Sequence, residues 1–439
     1  MAAIPRPFIM QTMNLRTYEE RRRLESLAPA ELRAFQLERL NQMLGEILPA
    51  NRFYASKLAD VSLPLKSLDD LSKLPFTYKD ELLTTQNHGT AANLTYPRER
   101  YVRFHQTSGT RGRPLVVLDT ADDWGRWMDI WQHIFDAAEI AEADGIFFAF
   151  SFGPYVGFWS ALEAAAERGC MVVPGGGMST PVRLELLRHC GASVVCCTPS
   201  YALHMAEVAA ERKLDLRAFG IRTFVLAGEP GGSVPAVRAT IERAWGARVI
   251  DHAGASEVGP WGFGDFAGEG LFVLESDFIA EFLSVETGAP AEDGELAELV
   301  ITSLFRYGLP IIRYRTGDLV RPLRKHAFPR RFTFLAGGVV GRTDDMFIIR
   351  GVNIFPSALD QILRGFPEVV EYRVTARTRG AMDVLEVEIE DRLSLPERVA
   401  DELRIRLGLN VDVALVPIGS LPRFEGKGRR FVDARPSKK

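Results

Sequence analysis

The stretch Thr107-Ser108-Gly109-Thr110-Arg111-Gly112-Arg113-Pro114 places three hydroxyls and two glycines in its first six residues. Glycines let a backbone curl until successive N–H groups point inward, and such a nest ringed by hydroxyls suits a polyphosphate. Thr107, Ser108, Gly109, Thr110 and Gly112 are therefore phosphate-binding candidates, with Arg111 and Arg113 adding charge at the rim. It is not a Walker loop, since no Gly-Lys-Ser/Thr follows. It also leads into an apolar stretch at 115–118 that reads as a strand, so no helix N-terminus assists it. Taken alone, the loop is equally well read as a surface turn.

Three charged positions downstream invite the same kind of reading. Glu257, in Ala255-Ser256-Glu257, follows a strand and a glycine. A carboxylate there can hold Mg²⁺, which takes one or two carboxylates plus phosphate oxygens; the alternative is a solvated loop glutamate. Asp318, in Arg315-Thr316-Gly317-Asp318, ends an apolar run and can accept both hydroxyls of a ribose, or simply make an Asp turn. Lys427 stands between Gly426 and Gly428. It is either a mobile surface lysine or a compact point charge on a flexible arm, brought to a phosphate or carboxylate as negative charge builds.

These groups need elements to hold them. Leu32, Phe35, Leu40, Met43, Leu44 and Ile47 mark an amphipathic helix after an irregular start. A second follows Thr120, whose pairing with Asp123 resembles a capping box. Its Trp124, Trp127, Met128, Trp131, Ile134 and Phe135 recur at helical steps, which favours packing over a ligand box. From 145 onward, apolar runs at 145–152, 170–173, 193–197, 221–227 and 248–251 alternate with helical stretches at 181–189, 201–211 and 234–245. That alternation predicts an α/β fold with a mainly parallel sheet, its ligands gathered at the strand C-terminal ends. Past Gly294 strands dominate, and after a charged turn at 341–345 comes a block of about ninety-five residues. Helices near 357–363 and 396–407 among strands such as 384–389 make it a small α+β domain.

The 439 residues fit two domains, and a net charge of −4 argues against broad nucleic-acid binding. No run is long and apolar enough to span a membrane, and 1–10 lacks the apolar core of a secretory signal. The four cysteines (170, 190, 196 and 197) form no CxxC pair, so buried thiols in a reducing cytoplasm are expected, with no zinc site.

The order of these pieces is similar to that in adenylate-forming enzymes, and within them to the phenylacetate–CoA ligase family over nearly the full length. The matching segments are 107–114, Thr198-Pro199-Ser200-Tyr201, Gly228-Glu229-Pro230, Ser256-Glu257-Val258-Gly259-Pro260 and 314–318. Gly341-Arg342-Thr343-Asp344-Asp345-Met346, running on to Arg350-Gly351-Val352-Asn353-Ile354-Phe355-Pro356, is the most specific, and Leu421-Pro422-Arg423-Phe424-Glu425-Gly426-Lys427 closes the series.

The resemblance implies a large N-terminal domain, 1–343, and a small C-terminal lid, 344–439, that rotates about a hinge at Asp344 between two half-reactions. In the first, a carboxylate attacks the α-phosphate of ATP and pyrophosphate leaves; in the second, the thiol of coenzyme A takes the acyl group. The 108–112 loop would hold the β- and γ-phosphates, Glu257 would position Mg²⁺, and Lys427 would bridge the carboxylate and α-phosphate. Asp318 would bind the ribose, helped by Arg342, and Gly228, Glu229 and Pro230 would line the adenine, with Asp251, His252 and Ser256 completing the nucleotide site. One departure stands out: Ala253 replaces the family's adenine-stacking aromatic, and His252 is either its substitute or a packed loop histidine.

The acid would meet the loop at 151–159, with rings at Phe152, Tyr155, Phe158 and Trp159 separated by glycines that leave slots for a flat molecule. Ala227, Ala253 and Gly254 are small enough to admit a ring bonded directly to its carboxylate. The expected substrate is an aromatic acid of benzoate type, such as anthranilate or a hydroxybenzoate, or phenylacetate; rings that merely fill the core are the alternative. A carrier-protein thiol is the rival acceptor to coenzyme A, and a homodimer is compatible with the sequence.

Overall fold

Thr120 turns the chain from strand to helix, and the way it does so sets one side of the core. In the computed structural model, which describes residues 15–86, 90–107, 113–343, 347–349, 352–379, 382–423 and 430–435, its hydroxyl accepts the N–H of Asp123. The Asp123 carboxylate in turn accepts the Thr120 N–H, closing the anticipated capping box. The helix Ala121–Ala137 then buries Trp124, Trp127, Met128, Trp131, Ile134 and Phe135, each contributing about 1.5–3 kcal/mol by leaving water. The tryptophan stripe is core.

That helix lies against a nine-stranded sheet. Its parallel half runs Met171–Pro174, Gly145–Phe148, Val194–Cys197, Thr223–Ala227, Arg248–Ala255. It continues antiparallel through Gly259–Phe263, Gly270–Val273, Phe334–Ala336 and Pro322–Leu323. Side chains alternate across a strand, and here each parity has its own core. Ile146, Phe148, Val194, Cys196, Val225 and Ile250 face the helices Ala121–Ala137 and Trp159–Glu167. Phe147, Val195, Cys197, Phe224, Leu226 and Val249 face Thr180–His189, Pro199–Glu211 and Pro235–Trp245. Burial pushes the Cys196 and Cys197 thiols well up, so neither is a nucleophile at neutral pH.

A second, antiparallel sheet orders Phe278–Ser284, Ala297–Ser303, Tyr314–Val320 and Gly341–Arg342. A third, built from Val369–Arg379, Met382–Asp391, Asp412–Leu415 and Phe431–Asp433, has an apolar cluster of its own with the helices Pro356–Arg364 and Pro396–Leu407. The stretch before Leu32 is not irregular throughout: Thr17 caps a helix at Tyr18–Glu25. Its buried residues include Arg21 and Glu25, held by Asp136 and by His133 and Arg330 from distant segments. Among the described residues no helix is long and apolar enough to cross a membrane.

Candidate active site

The parallel strands all deliver their C-terminal ends to one edge of the sheet, as open α/β sheets do around ligands. Thr198 follows the strand Val194–Cys197 and accepts the Tyr201 N–H to cap the helix Pro199–Glu211. Next to it, Gly228 turns the chain with a φ of +93°, a conformation that favours glycine. Glu229 reaches back from this turn to accept the Ser200 N–H at 2.7 Å. Gly228 and Pro230 are exposed and Ala227 half-buried, so the turn presents a surface rather than a plug. On the neighbouring strand Ala253, Gly254 and Ser256 are also open to solvent in part or whole.

Glu257 is buried just beyond, and its surroundings are strongly charged. Lys79 Nζ lies 2.8 Å from Glu257 Oε1, and the Tyr314 hydroxyl donates to the same oxygen at 3.4 Å. Burial pushes the Glu257 carboxyl up, yet the Lys79 ammonium and, farther off, Arg342 outweigh it and hold it below the usual carboxylate range. Burial first, and then the Glu257 charge, drive the Tyr314 hydroxyl well above its ordinary value, so it stays a neutral donor. Two residues past Gly317, whose φ of +76° makes the bend, the strand pairs Leu319 with Gly341, and one residue before that Asp318 with Arg342. Arg342 Nη1 sits 2.5 Å from Asp318 Oδ1, and its Nη2 donates to Thr316 O at 3.2 Å. Glu257, Tyr314, Asp318 and Arg342 thus form one polar wall.

The N-terminal segment reaches this wall through Thr77, which pairs with Tyr314 as an isolated parallel bridge. The Thr77 N–H donates to Arg313 O, Arg315 N–H donates to Thr77 O, and the Thr77 hydroxyl donates to Ile312 O at 2.7 Å. Two residues later Lys79 opens the helix Lys79–Thr85 directly beside Glu257.

Comparisons with known proteins agree with this layout. The AMP-binding enzyme C-terminal domain family matches residues 351–435. A phenylacetate–coenzyme A ligase of Escherichia coli (strain K12) is 34% identical over 94% of this chain and 97% of its own. Its namesake from Thermus thermophilus is 31% identical over 94% and 98%. The chain belongs to the phenylacetate–coenzyme A ligase family. As such it is an AMP-forming acid–coenzyme A ligase, working through an acyl adenylate. The solved 2-hydroxyisobutyryl-CoA ligase in its postadenylation state with 2-HIB-AMP matches with a TM-score of 0.89 at 28% identity, covering 96% of this chain and 94% of that one. The same ligase in its thioesterification state, with 2-HIB-AMP and CoA, gives 0.73 at 29% identity, covering 97% and 94%.

Several expected site residues of this phenylacetate–coenzyme A ligase family member lie close together. Gly228, Glu229, Pro230, Ala227, Ala253, Gly254, Ser256, Glu257, Asp318 and Arg342 border the sheet edge and the polar wall. Ser108, Gly109, Thr110, Gly112, Asp344 and Lys427 lie outside the described residues. Thr107 is described, and its hydroxyl accepts the Leu115 N–H at 3.0 Å while its own N–H donates to Leu115 O. Thr107 and Leu115 are thereby paired by two hydrogen bonds.

Two of the expected nucleotide residues are buried. His252 shares its parity with Ile250 and turns into the core, its ring 4.5 Å from that of Trp131 and its Nδ1–H donating to Gly262 O at 2.7 Å. Burial lowers it to about 4, against the hydrogen bond, so it is a neutral packed histidine. Asp251, on the opposite parity, is buried and accepts the Ser233 hydroxyl at 2.5 Å. Burial pushes it up to about 6, with the Ser233 bond opposing. In the acid loop, Phe158 is core and Phe152 packs edge-on to Trp159 with ring centroids 4.7 Å apart. Tyr155 is 42% exposed. The rings stack on one another more than they leave slots.

Lys79 escaped the sequence reading. Its one local signal is a cation in the first turn of a helix, where the macrodipole disfavours it. A consequence follows for pH. With Lys79→Met, burial of Glu257 is no longer countered at close range, so its pKa rises and the carboxylate protonates at higher pH. The acid limb of the adenylation pH profile should move upward. An unmoved acid limb in a folded variant would refute the electrostatic role of the pair.

Proposed function

We propose that this ligase activates an aromatic carboxylic acid, of the benzoate type or phenylacetate, to its adenylate and passes the acyl group to coenzyme A. The full-length similarity to phenylacetate–coenzyme A ligases carries the reading. The small residues Ala227, Ala253 and Gly254 at the strand ends support a flat substrate.

In this scheme Asp318 accepts the ribose hydroxyls with Arg342 steadying it, and the turn 228–230 borders the adenine. The 108–112 loop holds the outer phosphates and Lys427 bridges the acid carboxylate and α-phosphate. Glu257, ionised with Lys79 at its Oε1, would offer Mg²⁺ a hard carboxylate oxygen alongside those of the phosphates. Glu257 would hold Mg²⁺, which supplies charge neutralisation on the phosphates. Residues 1–343 and 344–439 act as two bodies hinged at Asp344. The higher similarity to the postadenylation state than to the thioesterification state supports an adenylation-side arrangement for the lid. So does the lid's approach to the nucleotide turn: the Glu229 charge is felt at Asp360 and Arg430.

A short branched 2-hydroxy acid is the second reading, favoured by the match to the 2-hydroxyisobutyryl-CoA ligase structure. ATP–pyrophosphate exchange over benzoates, phenylacetates, 2-hydroxyisobutyrate and fatty acids separates them. A preferred aromatic acid should exceed the aliphatic ones by at least about tenfold in kcat/KM, the scale on which apolar pockets discriminate. Preference for 2-hydroxyisobutyrate or a long-chain acid would overturn the aromatic assignment. Mass analysis of products, with coenzyme A against a phosphopantetheinylated carrier protein, fixes the acceptor.

A further inference from the structure

Arg306 is wholly buried, and so is its partner Asp119, whose Oδ1 lies 2.8 Å from Arg306 Nη2. The same guanidinium donates through Nη1 to the carbonyl of Glu257 at 2.8 Å and to that of Ser256 at 3.2 Å. Asp119 belongs to the strand Val116–Thr120, which leaves the phosphate loop; Ser256 and Glu257 form the turn that carries the metal-side carboxylate. One guanidinium therefore joins the two elements that must grip opposite sides of a metal–triphosphate.

The surroundings make this joint rigid. Trp127 lies under the guanidinium, 5.4 Å from ring centroid to Cζ, and its indole N–H donates to Asp119 Oδ1 at 3.2 Å. Asp123 accepts the N–H groups of Tyr307 and Gly308, fixing the loop that bears Arg306 to the helix Ala121–Ala137. A Cβ on Gly308 would come 2.4 Å from the Asp123 carboxylate, so only glycine allows this approach. As a source of stability the pair is poorly made. Among the described residues Arg306 Nε, Arg306 Nη2 and Asp119 Oδ2 have no hydrogen-bond partner, so the 2.8 Å pair is an ion contact with unmet valences, which does little for folding.

We infer that Arg306, through Asp119, is a positioning residue that sets the separation between the phosphate-loop hairpin and the Glu257 turn, and so tunes how the enzyme uses Mg²⁺. The inference rests on the proposed role of Glu257. It is tested on the full chain by ATP–pyrophosphate exchange at varied Mg²⁺, using the best acid from the panel above, and without turnover by Mn²⁺ binding in the presence of ATP. The Arg306 variants should bind Mn²⁺ more weakly, and an unchanged Mn²⁺ affinity would overturn the inference. Arg306→Met/Asp119→Asn removes both charges yet keeps an acceptor for Trp127. The Mg²⁺ needed for half-maximal exchange should rise about ten- to hundredfold, the cost of a displacement near 1 Å at a reacting centre, while KM for the acid stays put. Arg306→Lys, whose single ammonium cannot span Asp119 and both carbonyls, should show the same rise to a lesser degree and stands in if the double variant does not fold. Glu257→Gln is run in parallel. If it raises the Mg²⁺ requirement while folded Arg306 variants retain the wild-type value, the positioning role alone is refuted. If Glu257→Gln itself leaves the requirement unchanged, the metal assignment of Glu257 is wrong and the inference falls with it.

Discussion

Lys427→Ala is expected to slow acyl-adenylate formation by about 10²–10³-fold, the loss seen when one preorganised donor to a developing charge is removed. Thioester formation from supplied acyl adenylate should stay within a few-fold of wild type, because the proposed lid rotation takes this lysine away before the thiol arrives. The difference between the two half-reactions is the informative quantity. A general structural defect would depress both, and a lysine that merely binds ATP would raise KM without this split. Equal loss in both half-reactions would argue against an alternating lid. Single-turnover assays with isolated acyl adenylate read the second step directly.

Asp318→Ala should have the next largest effect, and on a different parameter. Asp318 is proposed to accept both ribose hydroxyls while paired with Arg342 at 2.5 Å. Hydrogen bonds to a charged group are worth about 1.5–3 kcal/mol, so KM for ATP should rise about ten- to hundredfold. The loss should fall mainly on KM, since the ribose contact is made alike in the bound and reacting complexes. Asp318→Asn keeps the shape and one acceptor and should lie between. An ATP KM unchanged in the folded alanine variant would remove Asp318 from the nucleotide site.

Much of the fold was legible because its signals are local. The five apolar runs after 145 became the parallel strands, with ends shifted by up to a few residues, and Thr120 with Asp123 capped the helix that their spacing suggested. What escaped depended on partners far along the chain. The helix Tyr18–Glu25 is charged on nearly every face, and its Arg21 and Glu25 are buried only because Asp136, His133 and Arg330 meet them. The pairing of Lys79 with Glu257 spans 178 residues, and no periodicity announces such a contact. Asp251 and His252 show a subtler limit. Their opposite parities were readable, but which side of the strand faced Trp131 depended on a helix more than a hundred residues earlier.

Arg313 carries a consequence for how short this enzyme can be made. Its left-handed backbone, at a φ of +46°, frees the guanidinium to reach Glu281 at 2.7 Å and the carbonyls of Ser72 and Leu74. These contacts stitch the segment before Thr77 onto the second sheet. Residues 72–80 are therefore built into the body that carries the polar wall. A minimal fragment begun after them would lose both the ammonium that holds the buried Glu257 carboxyl ionised and the leucines that pack on Ile279, Leu304 and Ile312.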